Sequence, residues 1–287
     1  MKVAVFGAHG YIGTALCTHL ELSGHQVVRV SSRTGGFDSG SGLLLPNVSL
    51  ASVDAGIYLS QSPYWRPDNL RPEHLTNVNV TSAVLAAEMV ARAGGRRFVF
   101  TSTGNVYQPG FAPHAEDSPL RDDEPYAASK VRAEQSLTSL GGLVEVQILR
   151  LFGVFGPGQE GRLFPRLCDL IRSGRPVTLF PGPQPDDGSG LGMSVVHVDD
   201  VTAITELLLT GPCLSPINVA HPEQVSLRTL ARMIGEAQST TPTFVEGLPP
   251  RTHDLLADTR RLENHLPRAW EQLPAQVHAS VNPGGRK

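Results

Sequence analysis

Two side chains near the middle of the chain have the types and spacing of a proton-transfer pair. Tyr126 and Lys130 lie four residues apart in EPYAASKVRAEQ, a segment that reads as helix, so both side chains project from one face. A phenol with an ordinary pKa of about 10 is a poor base at neutral pH, but a nearby ammonium group favours its ionised form. Tyr126 can then move a proton while a hydride moves. The alternative is a surface tyrosine and lysine on a helix.

Spaced glycines follow the first apolar run of the chain. Residues 3–13 read VAVFGAHGYIG, a pattern typical of a buried strand, a glycine turn and the start of an amphipathic helix. Glycines let the backbone approach a pyrophosphate, and the amino terminus of the helix supplies free N–H groups and positive potential. A purely structural turn is the alternative interpretation. The pattern predicts a dinucleotide site built from Gly7, His9, Gly10, Tyr11, Ile12 and Gly13.

The end of the second predicted strand bears on the choice of cofactor. The acid that would hold the adenosine ribose is absent, because VVRVSSR places Ser31, Ser32 and Arg33 there. A carboxylate would repel a 2′-phosphate, whereas serine and arginine can bind it. We therefore predict NADP, with NAD as the alternative cofactor, and keep open that Arg33 is a solvated loop residue. The ends of the next predicted strands complete the cofactor site with Leu59, Ser60, Gln61 and Thr101.

A run of hydroxyl residues ends the fourth predicted strand, in RRFVFTSTGNVY. Parallel strands deliver ligand-contacting residues at their carboxyl ends, and a hydroxyl there can bond a substrate oxygen that changes between alcohol and carbonyl. We assign that role to Thr103, so the predicted catalytic residues are Tyr126, Lys130 and Thr103. The alternative is that Thr103 caps a turn.

The elements that must position these residues alternate along the chain. Short β-branched runs predict strands near 2–6, 26–31, 55–60, 96–101 and 144–149. Leu- and Ala-rich segments between them predict helices near 11–22, 70–92 and 124–139. This alternation is typical of an α/β protein with a Rossmann-type doubly wound parallel sheet.

Three segments have few residues that favour regular structure. Residues 33–46 are rich in glycine and serine and predict a flexible loop in place of one crossover helix. Residues 181–193 predict a second loop, which we expect to order over the substrate. From about residue 269 the chain mixes proline, glycine and polar residues, and we expect this end to fray.

The composition excludes several classes of partner. A chain of 287 residues with a net charge of −3 has no basic surface for a phosphate backbone, so we expect a small-molecule substrate and no nucleic acid. Three cysteines, far apart and odd in number, fit reduced thiols in the cytoplasm. The first residues do not read as a secretory leader, and no apolar run approaches the roughly 20 residues that cross a bilayer. We predict a cytoplasmic protein that does not bind membranes.

The motifs, taken in order, resemble the extended short-chain dehydrogenase/reductases of the NAD-dependent epimerase/dehydratase family. The shared features are GAHGYIG, the helix that Asn79 leads (NVTSAVLAAEMV), TSTGNVY, YAASK followed by Glu134, RLFGVFGPGQ and SVVHVDDV. The resemblance covers most of the chain. It implies a dinucleotide-binding domain over 1–153 with 195–211, and a smaller C-terminal substrate-binding lobe over 154–194 with 212–287.

The resemblance also implies roles for individual residues. Lys130 would hold the nicotinamide ribose, and Phe152 and Val154 would lie beside the nicotinamide. Asp199 and Asp200 would be structural or helix-capping residues, an interpretation that we prefer to a metal site.

Three departures from the family pattern limit what the resemblance implies. Gly104 and Asn105 stand where sugar-nucleotide 4,6-dehydratases carry an Asp–Glu pair, which disfavours dehydration. Met193 stands where relatives that bind nucleotide diphosphates have an arginine. An aspartate that contacts adenine has no clear counterpart between Arg33 and Val53.

Three hypotheses for the function follow. The first is reversible hydride transfer at a secondary alcohol or ketone of a sugar or sugar nucleotide, by a net reductase or an epimerase. The second is a carbonyl reductase or dehydrogenase of a non-sugar secondary metabolite, and the third is a non-catalytic dinucleotide-binding protein. A homodimer formed through the helices near 70–92 and from Glu124 onward stays open. The residues that favour the second hypothesis are Leu163, Phe164, Phe180 and Met193.

Overall fold

The computed structural model describes residues 1–184, 187–266 and 268–283. Residues 185, 186, 267 and 284–287 lie outside the described residues, so the predicted loop 181–193 and the predicted C-terminal lobe are described in part. The chain divides into two compact units. The first unit comprises Met1–Tyr107, Pro119–Arg150 and Asp199–Ile217, and the second comprises Gln108–Ser118, Leu151–Val198 and Asn218–Lys287.

Strands and helices alternate through the first half of the chain. The strands are β1 (Lys2–Phe6), β2 (Gln26–Val30), β3 (Ala55–Tyr58), β4 (Arg97–Thr103), β5 (Glu145–Leu151), β6 (Val154–Phe155), β7 (Val177–Leu179), β8 (Gly192–Ser194), β9 (Val196–His197), β10 (Ile217–Val219), β11 (Gln224–Ser226) and β12 (Phe244–Glu246). The helices are α1 (Tyr11–Leu22), α2 (Pro72–Thr76), α3 (Ser82–Arg92), α4 (Pro125–Thr138), α5 (Leu163–Arg172), α6 (Val198–Thr210), α7 (Leu227–Ala237), α8 (Arg260–His265) and α9 (Leu273–Val281). None of the described helices is long and apolar enough to span a bilayer.

A six-stranded parallel sheet organises the first unit. Its strand order is β10-β5-β4-β3-β1-β2, and β1 pairs in parallel with both β2 and β3. The order reverses between β1 and β3, and ligands of such sheets bind beyond the carboxyl ends of the strands at this reversal. The predicted α/β fold with a Rossmann-type sheet is therefore confirmed, and the five predicted strands begin and end within two residues of β1 to β5.

The core of the sheet explains why the predicted helix 70–92 is not uniform. Tyr58 is fully buried and packs against the rings of Phe6 and Phe100. Its hydroxyl donates to the main-chain oxygen of Val78, which lies in a π-helical turn, Asn77–Thr81, between α2 and α3. A buried hydroxyl needs an acceptor, and the wider turn supplies one. The predicted helix is thus interrupted by a turn that periodicity alone does not reveal.

The predicted loop at 33–46 is confirmed as a non-helical connection. It begins with a 3-10 turn, Ser32–Thr34, and its two sides meet at an antiparallel bridge between Phe37 and Leu44. Both apolar side chains are buried in the core of the first unit. The connection is therefore a packed loop.

Within its described residues, the second unit contains three two-stranded sheets around an apolar core of its own. The pairs are β8 with β11, β7 with β12 and β6 with β9. Residues 108–118, which the sequence placed in the first domain, join this unit through bridges from Gly110 to Asp254 and from His114 to Ala257. The expected fraying from residue 269 is wrong for the residues described up to 283, because Leu273 and Val277 of α9 are fully buried in this core.

Candidate active site

Two glycines of the turn after β1, Gly7 and Gly13, are packed too closely for any side chain. Gly7 has a φ of +87°, and a Cβ there would lie 2.7 Å from the main-chain nitrogen of Ser60. A Cβ on Gly13 would lie 2.2 Å from the main-chain oxygen of Gly7. Both contacts are with backbone, which cannot move aside. The turn therefore brings the end of β1, the start of α1 and the segment after β3 together at the reversal of strand order.

The first turn of α1 has unused hydrogen-bond donors. The first amide that bonds within the helix is that of Thr14, which donates to Gly10 at 2.9 Å. The N-cap is Gly10, which has no side chain that could accept from the first amides of the helix. The N–H groups of Tyr11, Ile12 and Gly13 thus have no acceptor among the described residues. Such donors at the positive end of a helix fit an anionic group such as a pyrophosphate.

A buried hydroxyl marks the same turn. The Oη atom of Tyr11 is buried and has no hydrogen-bond partner among the described residues. Burial raises the pKa of Tyr11, and the charge of Asp199 raises it further, so this phenol is a neutral donor. Asp199 and Asp200 lie in the first turn of α6, where the positive end of the helix dipole stabilises negatively charged carboxylates. An orphaned buried donor beside the glycine turn is what a polar cofactor would satisfy.

The residues after β2 form a structured turn. The Oγ atom of Ser31 lies 2.8 Å from Nδ1 of His9 and also accepts from the amide of Thr34 at 3.4 Å. Ser31 therefore caps the 3-10 turn that follows it. Ser32 and Arg33 are exposed. The structure thus brings His9 and Ser31 together and leaves the guanidinium of Arg33 at the surface.

The residues after β3 connect the glycine turn to the predicted catalytic tyrosine. The amide of Leu59 donates to the main-chain oxygen of Phe6 at 2.8 Å, and Ser60 packs against Gly7. Gln61 was predicted as a cofactor residue. Its Oε1 atom accepts a long hydrogen bond of 3.4 Å from the hydroxyl of Tyr126.

Helix α4 begins one residue before the predicted catalytic tyrosine. Glu124 is its N-cap, and the carboxylate accepts from the amides of Tyr126 at 3.1 Å and Ala127 at 2.7 Å. Pro125 occupies the first helical position, where its missing N–H costs nothing. The cap fixes the position of Tyr126 in the first turn, and Lys130 follows one turn later.

Lys130 is buried and held at the end of β4. Its Nζ atom donates to the main-chain oxygen of Thr101 at 2.9 Å and lies 4.7 Å from the centre of the Phe100 ring. Burial lowers the pKa of Lys130 to about 8, although the charge of Glu134 acts in the opposite direction. A buried cation is thus placed one helical turn from Tyr126.

The three hydroxyl residues that end β4 have different partners. Thr101 donates to the main-chain oxygen of Tyr58 at 3.0 Å, and Ser102 donates a short hydrogen bond to Glu134. The Oγ1 atom of Thr103 accepts from the amide of Asn105 at 3.2 Å and so caps the 3-10 turn Gly104–Val106. Thr103 is half-buried and caps a turn, which is the alternative to substrate contact that we considered from the sequence. Its contact with a substrate stays a prediction.

A buried ion pair lies behind α4. Three bonds of 2.7 to 3.2 Å join the guanidinium of Arg150 to Glu134, and Arg150 also donates to the hydroxyl of Tyr107 at 2.9 Å. No role for this pair was predicted from the sequence. An arginine inside the buried strand EVQILRL was the available signal, because such a charge requires a partner.

Two predicted cofactor residues belong to the second unit. The amide of Phe152 donates to the main-chain oxygen of Val219 at 3.1 Å. Val154 lies in β6 and pairs with Val196 of β9. Gly153 between them has a φ of +29°, and a Cβ there would lie 2.6 Å from the main-chain oxygen of Ser194.

The second unit also holds a charge cluster that was not predicted from the sequence. The guanidinium of Arg251 bonds to Asp187 at 2.6 Å and to Asp254 at 2.8 Å. Met193 is buried in the core of this unit. Among the residues that the structure describes, no three His, Cys, Asp or Glu side chains are placed to hold a metal ion.

Similar proteins span most or all of the chain. UDP-glucose 4-epimerase from Azospirillum brasilense is 28% identical over 301 residues, covering 92% of this chain and 86% of the relative. A 2-alkyl-3-oxoalkanoate reductase from Stenotrophomonas maltophilia is 33% identical over 194 residues, covering 61% of this chain and 57% of the relative. The crystal structure of a UDP-glucose 4-epimerase from Thermus thermophilus in complex with NAD matches with a TM-score of 0.78, 22% identity and coverage of 100% of both chains. At that identity the likeness shows a shared fold.

The family assignment rests on a match to most of the chain. The family description "NAD dependent epimerase/dehydratase family" matches residues 3–220. The matched span contains the glycine turn, the end of β4 and the Tyr126–Lys130 pair. The chain therefore belongs to the NAD-dependent epimerase/dehydratase family and is an enzyme of the extended short-chain dehydrogenase/reductase type.

Proposed function

We propose that this chain interconverts two epimers of a UDP-sugar through reversible hydride transfer at one secondary alcohol carbon. The observation that carries the proposal is the buried face of α4, where Tyr126 presents its hydroxyl and Lys130 is held by Thr101. Relatives that match nearly the whole chain support the reaction class. The epimerase from Mycolicibacterium smegmatis covers 99% of this chain at 28% identity.

The chain's own residues supply the proton transfer. NAD supplies the hydride acceptor and donor when it is bound. Tyr126 accepts the hydroxyl proton as the alcohol carbon is oxidised, and it donates this proton back when the ketone is reduced from its other face. The ammonium group of Lys130 favours the phenolate form of Tyr126, which is the form that accepts the proton at the start and is restored when the proton is returned. Proton and hydride both return, so the reaction has no net redox change.

The described residues fit the dinucleotide that this reaction needs. The uncapped amides at the start of α1 suit a pyrophosphate, and the orphaned hydroxyl of Tyr11 is available as a donor. Gly7 and Gly13 keep the backbone close to such a group. These observations support the assignment of the glycine turn to the cofactor.

A carbonyl reductase of a non-sugar metabolite is the second candidate. The relative that is a 2-alkyl-3-oxoalkanoate reductase supports it. Two of the apolar residues that favoured this hypothesis, Phe164 and Met193, are buried in the core of the second unit. Leu163 and Phe180 are exposed. Half of the apolar surface that pointed to a non-sugar substrate is therefore core, and we place this candidate second.

NAD dependence is a property of the family as a whole. For this chain we propose more narrowly that NADP is the preferred cofactor. Ser31 is bonded to His9 and to Thr34, so Arg33 is the residue in this turn with an exposed cation. We expect the Arg33→Ala variant to lose any preference for NADPH over NADH in a binding titration. Arg92→Ala, which removes an exposed arginine from α3, is the matched control. If wild type binds NADPH and NADH with equal affinity, the NADP preference is rejected. If Arg33→Ala keeps the preference of wild type, Arg33 is not its cause.

Two further proposals concern the surroundings of the enzyme. The exposed side chain of Leu85 on α3 supports a homodimer through α3 and α4. A measurement of mass in solution that finds only the monomer rejects the homodimer.

The three free cysteines support a reducing compartment such as the cytoplasm. Fractionation of the native cells tests this placement.

The test of the main proposal is a direct assay of epimerisation. Purified protein is incubated with UDP-glucose and NAD⁺, and formation of UDP-galactose is followed by chromatography. We expect turnover in wild type and in Lys2→Met, and loss of turnover in Lys130→Met. Net consumption of NADPH with a simple ketone, and no epimerisation of any UDP-hexose, selects the second candidate instead.

A further inference from the structure

The segment after β3 places an indole against the catalytic phenol. The ring centres of Trp65 and Tyr126 lie 5.3 Å apart, and the ring planes meet at 45°. We propose that Trp65 is the wall against which the sugar ring of the substrate packs, so that this residue determines which rings Tyr126 can process. The inference rests on the proposed function and names a binding residue for it.

The segment that carries Trp65 is held by buried polar groups. Ser62 is 1% exposed, and its amide donates to Oδ1 of Asn79 at 3.3 Å. The Oγ atom of Ser62 lies 2.9 Å from Nδ1 of the buried His74 and accepts from the amide of Tyr64 at 3.1 Å. Fully satisfied buried networks hold one conformation. Trp65 is therefore presented by a fixed backbone.

The same network reaches the helix that carries Tyr126. The Nδ2 atom of Asn79 donates to Oγ of Ser129 at 2.9 Å, and the hydroxyl of Ser129 donates to the main-chain oxygen of Tyr126 at 2.7 Å. Asn79 and Ser129 are both buried. One chain of hydrogen bonds thus sets the distance between the Trp65 segment and the first turn of α4.

The chemistry around the hydroxyl of Tyr126 favours a carbohydrate. A sugar ring has apolar C–H faces and polar edges, and an aromatic face suits the former because its π-system carries partial negative charge. Gln61 lies on the same segment and offers an amide within 3.4 Å of the hydroxyl of Tyr126, which suits a polar edge. A half-buried indole and an amide beside one phenol match both features of a sugar. An alkyl chain would use only the indole.

A charged neighbour completes the description of this wall. The guanidinium of Arg66 lies 5.3 Å from the centre of the Trp65 ring. Arginine over an aromatic ring is attracted by the ring quadrupole. The contact adds positive potential beside the indole, which suits a nucleotide-linked sugar with its diphosphate better than a neutral ketone.

Steady-state kinetics with two substitutions test the proposal. Trp65→Leu keeps apolar bulk without an aromatic face, and Trp65→Phe keeps an aromatic face. With UDP-glucose as substrate, we expect Trp65→Leu to raise KM about 10- to 100-fold with kcat within a few-fold, because a wall contributes to binding of the substrate and the transition state alike. Trp65→Phe should stay within about 5-fold of wild type. NAD affinity and melting temperature should not change in either variant, and Tyr64→Phe serves as the control within the same segment.

A fluorescence titration gives a readout that does not depend on turnover. The chain has two tryptophans, so Trp65 is the single indole of a Trp270→Phe variant. We expect UDP-glucose to change the emission of this variant with a saturable curve. UDP, which lacks the hexose, should leave the emission unchanged. An unchanged emission together with a wild-type KM in Trp65→Leu overturns the inference while the proposed function stands. Protein that neither binds nor converts UDP-glucose, UDP-glucuronic acid or UDP-N-acetylglucosamine overturns both.

Discussion

The ammonium group of Lys130 donates to the main-chain oxygen of Thr101 at 2.9 Å, and the lysine side chain is almost completely buried. The bond ties the middle of α4 to the end of β4. Because a buried ammonium group loses its hydration, the folded protein binds this proton less tightly than the unfolded chain does. Burial accordingly lowers the pKa of Lys130 from 10.5 to about 8. The burial of this ammonium group therefore costs stability.

The first prediction is that Lys130→Met stabilises the protein at pH 7. The unfolded lysine keeps its proton between pH 8 and 10.5 while the folded lysine loses it, so the free energy of unfolding of wild type rises with pH across this window. The methionine variant lacks that rise. Its advantage should be about 1–3 kcal/mol at pH 7, after allowing for the lost bond to Thr101, and should shrink towards pH 10. Urea denaturation at both pH values measures it.

The control for this prediction is Lys2→Met, the other lysine among the described residues. Lys2 lies at the surface, where its Nζ atom donates to the main-chain oxygen of Ala51. Because Lys2 is not buried, Lys2→Met should not stabilise the protein at pH 7. A Lys130→Met variant whose advantage grows from pH 7 to pH 10 contradicts the sign of the predicted effect.

The second prediction separates the two interpretations of the glycine turn. A Cβ on Gly10 would lie 3.4 Å from the main-chain oxygen of Gly7, which is an ordinary contact, whereas a Cβ on Gly13 would collide with the same atom. Gly13→Ala should therefore lower the melting temperature by at least about 5 °C. Gly10→Ala should fold normally but bind NAD at least about 10-fold more weakly, because its methyl group occupies space that a pyrophosphate needs.

Thermal unfolding and a titration with NAD measure the two effects of the glycine variants. Gly24→Ala is the control for backbone strain, since Gly24 has a positive φ and open space around it. Normal NAD binding by Gly10→Ala would mean that the turn is structural and that the dinucleotide lies elsewhere.

The elements of the sheet could be predicted, and the Tyr126–Lys130 pair could be singled out, because their signals are local. The glycine turn, the strand periods and the Tyr126–Lys130 spacing each lie within a short stretch of chain, and β1 to β5 follow the predicted order. The cap by Glu124 also follows a local rule, with proline in the next position. Such features need no knowledge of the tertiary structure.

The remaining features of the site depend on contacts between distant segments. Trp65 meets Tyr126 because the segment after β3 bonds to Asn79, and no periodicity encodes that bond. The partner of Arg150 is likewise set by the packing of β5 against α4. The structured end of the chain was missed because the buried face of α9 is short and follows a polar stretch.

The third prediction concerns the buried ion pair behind α4. Glu134→Ala leaves the guanidinium of Arg150 buried without its carboxylate, which should lower the free energy of unfolding by about 3–5 kcal/mol. Glu134→Leu with Arg150→Met removes both charges and should recover most of the loss. Denaturant unfolding of wild type, Glu134→Leu, Arg150→Met and the double variant forms a double-mutant cycle. If the double variant loses as much free energy of unfolding as the two single variants lose together, the two side chains are not coupled.

The fourth prediction assigns the proton to Tyr126. Tyr126→Phe removes one oxygen atom and keeps the ring that packs against Trp65, so the fold and the NAD affinity should be unchanged. Epimerisation should fall about 10²- to 10⁴-fold in kcat, the usual contribution of a positioned acid–base group. Stopped assays with purified wild type and variant, at equal NAD occupancy, measure the ratio.

The matched control for the tyrosine is Tyr64→Phe, which makes the same chemical change on the neighbouring segment. The Tyr64 ring packs against His74 and Arg71 and not against the reacting group, so its loss of a hydroxyl should change kcat less than about 3-fold. A Tyr126→Phe variant that keeps more than about a tenth of the wild-type kcat would show that another group carries the proton. Thr103, at the end of β4, would then be the next residue to substitute.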